Sequence, residues 1–217
     1  MGIVDEASML DILLTNHLLK ALLPSTHLLL VGDVDQLPSV GAGNVLRDVI
    51  DSGQVPVVRL DLIFRQAQDS LIVTNAHRVN KGQMPLFAKT ARDFFLFGVQ
   101  DPDAAADLIV DIVQNRIPRK FGYDPMEDVQ ILSPMYRGAV GVSNLNARLQ
   151  AALNPPSPKK PERRLSGRAF RVGDRVIQLR NNYDLDVYNG DVGRIERIDV
   201  LTRALLVRVD DRLVQYD

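Results

Sequence analysis

Two short stretches carry side chains that could do chemistry together. The first is IVDEAS, Ile3 to Ser8, in which two β-branched apolar residues run into Asp5 and Glu6. If that run ends a parallel strand, its carboxyl edge is where α/β sheets take ligands. An aspartate there can hold a magnesium ion through water, and the adjacent glutamate can orient or activate an attacking water. An acidic helix start complementing the macrodipole would give the same dipeptide, so the pair alone does not decide. The second stretch is LLLVGDVDQLPSVGAGNVL, Leu28 to Leu46, where an apolar strand runs straight into Gly-Asp-x-Asp-Gln-Leu-Pro. Its end brings Asp33 and Gln36 to the same carboxyl edge as Asp5 and Glu6, within reach of a terminal phosphate or its attacking water.

A third stretch, Ser133 to Val142, suits a polyanion. An apolar run ends in Ser-Pro, and Tyr136, Arg137 and Gly138 lead to a helix whose first amides can face a phosphate. Tyr136 can stack on a base without reading its identity, or simply pack beside the sheet. His77, Arg78 and Lys81 read as solvated residues complementing a helix end. The chain has no cysteine and three scattered histidines, which excludes disulfides, thiol catalysis and cysteine-ligated zinc and argues against a histidine metal site.

The elements that must hold these residues alternate. A strand ends near Asp5, and the spacing of Met9, Leu10, Leu13, Leu14 and Leu18 predicts a helix from Ala7 to Leu23, stopped by Pro24. His27–Gly32 is an apolar run expected of a strand buried on both faces. A helix over Asn44–Ser52 closes at Gly53, and Val57–Leu60 reads as another strand. The pattern continues with a helix over Ser70–Lys81, a strand at Phe94–Val99 and a helix opened by Asp101-Pro102 and running to about Asn115. A strand at Val129–Leu132 and a helix at Val142–Leu153 complete it. Alternation of this kind predicts a parallel α/β sheet. Residues 154–164 (NPPSPKKPERR) then read as a linker or exposed loop. Beyond them the pattern is all-β, at Arg175–Leu179, Val192–Ile198, Ala204–Val209 and Leu213–Tyr216, with turns at Asn189-Gly190 and Asp210-Asp211.

The 217 residues, 46% hydrophobic and 24% charged, have ordinary globular composition, which excludes wholesale disorder. The net charge is −1, but it is unevenly spread. Residues 1–60 carry seven acids and three bases, a net of −4, and residues 159–175 carry seven bases and two acids, a net of +5. That split suits a cation-binding end and a polyanion-binding end, or a solvated basic linker. No apolar run reaches the roughly 18 residues of a membrane span, and the chain reads as cytoplasmic, with no membrane partner.

IVDEASM followed by VGDVDQLPSVGAGNVL resembles the superfamily 1 helicases, and within them the RecD-like DNA helicases. The first stretch is similar to their Walker B motif and the second to their motif III. LIFRQAQDSLIVTNAHRVNKG (Leu62–Gly82) is similar to motif IV with its helix, and VQILSPMYRGAVGVSNLNARLQ (Val129–Gln150) to the stretch opening the second motor domain's nucleic-acid surface. FRVGDRVIQLRNNYDLDVYNGDVGRIERI (Phe170–Ile198) resembles the lead into a small inserted β-barrel.

The resemblance implies an α/β fold of RecA-like parallel sheets with helices, of the P-loop NTPase type, plus a small antiparallel β-barrel at the C-terminus. Residues 1–60 would end a first RecA-like domain, 61–153 form part of a second, 154–174 link, and 175–217 form the barrel. It implies an ATP-dependent DNA helicase moving 5′ to 3′ on single-stranded DNA in recombination and repair, with ATP and Mg2+ as cofactors and other helicase or nuclease subunits as partners. By the same resemblance Asp5 is the magnesium aspartate, Glu6 the water-activating glutamate and Gln36 the phosphate sensor. Arg65 reaches across to the terminal phosphate, and Asp33 and Gln66 bind nucleotide. Ser133, Tyr136, Arg137 and Gly138 contact nucleic acid.

One family element has no match. A phosphate loop needs G-x-x-x-x-G-K-[ST], and none of the 14 glycines is followed by lysine. The chain also stops before motifs V and VI. The expectation is therefore a piece of a longer helicase, inactive alone. The alternative is a non-catalytic DNA-binding or protein-interaction module on a helicase-derived scaffold.

Overall fold

The computed structural model describes residues 1–60, 70–88, 90–165, 167–199, 201–202 and 204–216, and these fall into two units, Met1–Leu96 and Phe97–Asp217.

In the first unit, strands β1 (Gly2–Val4) and β2 (Leu28–Leu30) pair in parallel, with Val4 opposite Leu30. The long helix expected after β1 is two pieces. A single 3-10 turn, Ala7–Met9, precedes helix α1 (Ile12–Ala21). The break has a local cause: the Asp11 carboxylate accepts the Leu14 N–H at 2.7 Å, capping an α1 that begins five residues later than apolar spacing suggests. Helix α2 (Val45–Asp51) lays Leu46 against Ala7 and Leu10, with Val4, Leu18, Leu30, Val34 and Ile50 around them. Gly53 closes α2 at φ 65°. Two expectations fail here. Strand β2 is covered on one face only, Leu29 being 48% exposed, and Val57–Leu60 pairs with no strand among the described residues.

Helix α3 (Leu71–Asn80) starts at Ser70, whose hydroxyl accepts the Val73 N–H and donates to Asp93 at 2.6 Å. Hydrogen bonds to its Ser70 hydroxyl and nearby amides hold the Asp93 carboxyl below its ordinary value. Buried Asn75 exchanges two hydrogen bonds with the backbone of Leu86, so the segment after the helix is strapped along it.

In the second unit a long helix runs from α4 (Pro102–Asp111) through a π-helical turn (Ile112–Arg116) into α5 (Ile117–Phe121), ending at Gly122 with φ 75°. Asp101 caps it through the Ala104 N–H at 2.7 Å. The helix continues past Asn115 because the widened turn precedes Pro118, which lacks an N–H and would press on the carbonyl four residues back. Helix α6 (Val142–Leu153) packs Leu145 and Leu149 on Ala106 and Val113. Val129 and Ile131 contribute to that core from an extended segment, but neither it nor Phe94–Val99 forms a ladder among the described residues. An apolar run supplies burial, and a strand also needs a partner edge.

After α6, strands β3 (Glu162–Leu165) and β4 (Arg168–Arg171) make an antiparallel hairpin. Strands β5 (Arg175–Ile177), β6 (Val192–Ile198), β7 (Leu205–Val209) and β8 (Arg212–Tyr216) follow as a four-stranded antiparallel sheet in sequence order. Its core is Val187, Ile195, Ile198, Leu205, Val207, Val209 and Val214. A bulge between Ile195 and Arg197 lets Ile195 and Ile198, three apart, both face inward. Among the described residues no helix is long and apolar enough to cross a membrane.

Candidate functional site

The parallel pairing of β1 and β2 brings the two acidic segments to one sheet edge. The ladder continues past the strands: the Val31 N–H donates to Val4 and the Ala7 N–H to Val31, both at 2.8 Å. Asp5 and Glu6 therefore leave β1 beside the point where Asp33 leaves β2, and Asp5, Glu6, Asp33 and Gln36 are all exposed. Glu6 sits at φ 51°, ψ 38°, with its N–H donating to the Asp5 carboxylate at 2.9 Å. A left-handed non-glycine residue costs roughly 1–2 kcal/mol, so Glu6 is held there by its surroundings.

Gly32 leaves the room that turn needs. A β-carbon on Gly32 would lie 2.9 Å from Leu46 Cδ2 and 3.0 Å from the amide nitrogens of Ala7 and Ser8. Only glycine lets the chain leaving β2 pass this close to the turn leaving β1. Past it, Asp33 folds its own loop: its carboxylate accepts the Asp35 N–H at 2.9 Å and its carbonyl the Gln36 N–H at 3.3 Å. Arg47 of α2 donates to the Val34 carbonyl at 2.6 Å. The loop then seats on the start of α1. Ile12 donates its N–H to the Ala42 carbonyl at 3.0 Å, and the Ser39 hydroxyl bonds the carbonyls of Gly41 and Gly43. Gly43 takes φ 103°, and a β-carbon there would meet Ile12 at 2.5 Å. Arg65 and Gln66 lie outside the described residues.

In the second unit, Ser133, Tyr136, Arg137 and Gly138 share the loop before α6. The Ser133 hydroxyl donates to the Val140 carbonyl at 2.7 Å and accepts the Met135 N–H, so it braces the loop from inside. Gly138 turns the chain at φ 95°. A β-carbon on Gly141 would sit 2.4 Å from the Arg137 carbonyl oxygen. The amides of Val142 and Ser143, expected to be open to a phosphate, instead donate to the carbonyls of Met135 and Tyr136 at 2.9 and 3.2 Å. The loop closes over its own helix start. What it offers to solvent is the Tyr136 ring, 58% exposed, and the Arg137 side chain.

Two family models match this chain: an AAA domain over residues 1–96, and the SH3 domain of ATP-dependent RecD-like DNA helicases over residues 145–209. The ATP-dependent RecD2 DNA helicase of Deinococcus radiodurans is 35% identical over 193 residues, covering 89% of this chain and 25% of that protein. Over these stretches the chain is similar to the RecD-like DNA helicases. The RecBCD enzyme subunit RecD of Mycobacterium tuberculosis is 29% identical over 204 residues, 88% of this chain and 35% of that subunit. The chain thus spans a quarter to about a third of these curated relatives. Among solved structures, a Bacteroides Pif1 helicase in complex with ADP-AlF3 and single-stranded DNA aligns over 99% of this chain and 52% of its own, at TM-score 0.53 and 18% identity. The fold is RecA-like α/β of the P-loop NTPase type, with an SH3-like antiparallel sheet at the C-terminal end.

The donor set at this sheet edge fits magnesium. Among the described residues no three His, Cys, Asp or Glu side chains gather into a cage. Magnesium usually needs none, because it keeps its waters and binds one or two carboxylates together with substrate phosphates. Asp5, exposed with Glu6 beside it, has the chemistry such a site uses. The buried Ser8 hydroxyl, three residues on, has no partner among the described residues. Sequence reasoning missed the role of Gly32, which carries no signal beyond its place after a strand, and the inward work of Ser133.

Proposed function

We propose that this chain is the part of an ATP-dependent 5′-to-3′ DNA helicase that carries the metal-side and water-side groups of its ATPase site and part of its strand-binding surface. The observation that carries the reading is the shared carboxyl edge of β1 and β2, with Asp5 and Glu6 beside Asp33 and Gln36 and Gly32 between them. Asp5 would hold Mg2+ through its carboxylate and waters. A magnesium ion bound there would neutralise phosphate charge. Glu6 would accept a proton from the attacking water, and the Gln36 amide would sense the terminal phosphate. Asp33 shapes the turn presenting Gln36, and Arg65 and Gln66 would complete the nucleotide contacts. Tyr136 and Arg137 would meet single-stranded DNA on a loop shaped by Ser133 and Gly138.

The domain assignment accompanying this reading is 1–60 for the first RecA-like domain, 61–153 for the second, 154–174 as connection and 175–217 as the SH3-like insertion. The reading extends to a cytoplasmic protein of recombination and repair working with helicase or nuclease subunits, and the name of one relative, a RecBCD enzyme subunit, supports the multi-subunit part. The lack of a lysine-bearing phosphate loop in these 217 residues favours a second reading, a non-catalytic DNA-binding or protein-interaction module.

A DNA-stimulated ATPase assay on the full-length protein that carries this chain separates the two. Glu6→Gln should keep nucleotide binding and lose about 100- to 10,000-fold in turnover, the range for a general base. Turnover unaffected by Glu6→Gln would refute the catalytic reading. The 217 residues alone should not hydrolyse ATP, since they contain no phosphate cradle.

A further inference from the structure

The basic stretch 159–175 looks in sequence like one patch of positive charge, but four of its seven bases are engaged by groups of the fold. Arg171 is buried, bonded to Glu162 at 2.7 Å and to the Asn154 carbonyl. Arg164 lies 3.6 Å from the same glutamate. Lys160 donates to the Asn154 side chain, and Arg175 donates to the carbonyls of Met126 and Val129. Arg168 is different. It opens β4 opposite Leu165, just after Gly167, which takes φ 79°. Its hairpin face is shared with Leu165 and Phe170, which pack on the sheet core, so its backbone and stem are fixed. Its exposed guanidinium donates to the Tyr136 hydroxyl, 32 residues earlier in the chain.

That contact joins two features of one ligand. The Tyr136 ring is 58% exposed, yet its backbone is pinned by the Ser143 N–H. Its partner, and Arg137 beside it, carry positive charge. Among the described residues seven arginines (116, 148, 164, 171, 194, 208 and 212) form ion pairs with acids, and Arg137 and Arg168 are among the others. A phenol occupies one donor of a five-donor fork, leaving the others for a phosphate. An exposed, positioned ring bonded to one guanidinium, with a second exposed arginine next to it in sequence, suits a nucleotide, with base on ring and backbone on charge.

We infer that Arg168, presented by the β3–β4 hairpin, contacts a backbone phosphate of single-stranded DNA next to the base that stacks on Tyr136. The inference rests on the strand-binding reading of the Ser133–Val142 loop and extends it to a residue of a different element. The phenol–guanidinium bond aligns the two contacts before the strand arrives, so less side-chain freedom is lost on binding.

The test is fluorescence anisotropy of the 217-residue chain with labelled oligothymidylate, from 20 to roughly 200 mM salt, where one phosphate contact on a single strand contributes about 0.7 to the slope of log affinity against log salt. Arg168→Gln should weaken low-salt binding several-fold and flatten the slope by about that increment. Arg168→Lys, which keeps the charge, should keep the slope. Tyr136→Ala should lose at least about fivefold in affinity with little change of slope, the signature of stacking. Arg208→Gln makes the same change of net charge at an arginine bonded to Glu196, and should change neither readout. If the wild-type chain binds and Arg168→Gln retains its affinity and slope, or if the lysine variant behaves like the glutamine one, Arg168 is not a phosphate contact and the loop reading survives. A wild-type chain with no salt-dependent binding would overturn both.

Discussion

Gly32→Ala isolates the geometry on which the carboxyl edge depends. The added methyl would lie 2.9 Å from Leu46 Cδ2 and 3.0 Å from two backbone nitrogens. The leucine end could turn aside, but Leu46 is 6% exposed and packed in the small core of this unit. The nitrogens cannot yield separately, because the Ala7 N–H is bonded at 2.8 Å to Val31, the residue before Gly32. Relief requires the turn after β1 to move by several tenths of an ångström, stretching that bond and the backbone that sets Glu6 at φ 51°. Overpacking of this kind costs about 1–3 kcal/mol. Gly82→Ala is the comparison: it meets nothing within 4 Å but sits at φ 69°, so its cost of about 1 kcal/mol is conformational alone. Peptide-resolved hydrogen exchange suits a chain with two units and no tryptophan. Gly32→Ala should speed exchange of the amides of Ala7 and Val31, whereas Gly82→Ala should leave them alone. In the full-length protein, Gly32→Ala should also lower ATP turnover by roughly tenfold or more, as expected when reacting groups are displaced. Unchanged protection at Ala7 and Val31 would show that the turn is not set by Gly32, and the account of the edge would fail.

Three further outcomes follow from named contacts. Asp174, 7% exposed, accepts from Gln150 at 2.5 Å, Asn154 at 2.7 Å and the Arg171 N–H at 2.7 Å, so Asp174→Ala strands three donors and should cost about 3 kcal/mol or more in denaturant unfolding of the second unit; a cost under about 1 kcal/mol would contradict the network. Hydrogen bonding to Arg171 holds the Glu162 carboxyl below its ordinary value of 4.5, so its stabilising effect is present above that pH and is lost as pH falls through the lower folded value. Glu162→Gln should flatten the acid limb of a stability titration, and an identical limb would deny the linkage. Arg65→Ala in the full-length protein should keep nucleotide binding and lose about a thousandfold in turnover, and near-normal turnover would remove it from the proposed site.

Local chemistry in the sequence determined much of the chain. Helix α6 spans the expected Val142–Leu153, because apolar spacing, a preceding glycine and the proline-rich stretch beyond it agree. Ser70 and Asp101 cap α3 and α4 because short oxygen-bearing side chains satisfy free amides wherever they precede a helix. The four C-terminal strands follow from alternation and from turns at Asn189-Gly190 and Asp210-Asp211, signals that span only a few residues. The sequence also placed Asp5 and Asp33 just past short apolar strands, and the parallel pairing of those strands set the two ends side by side.

Partners distant in the chain decided the rest. Whether Val57–Leu60, Phe94–Val99 and Val129–Leu132 become strands depends on a neighbouring edge, which no local pattern encodes, and among the described residues none pairs. The charge of residues 159–175 was legible, but its use was not. Arg171 and Arg168 are three residues apart and chemically identical, yet one is buried against Glu162 and Asn154 while the other reaches Tyr136 in the open. A hairpin sends successive side chains to opposite faces, and what waits at each face is set by packing. The same holds at Gly32, an unremarkable glycine after a strand until the parallel partner brings two amides to within 3.0 Å of where its side chain would be.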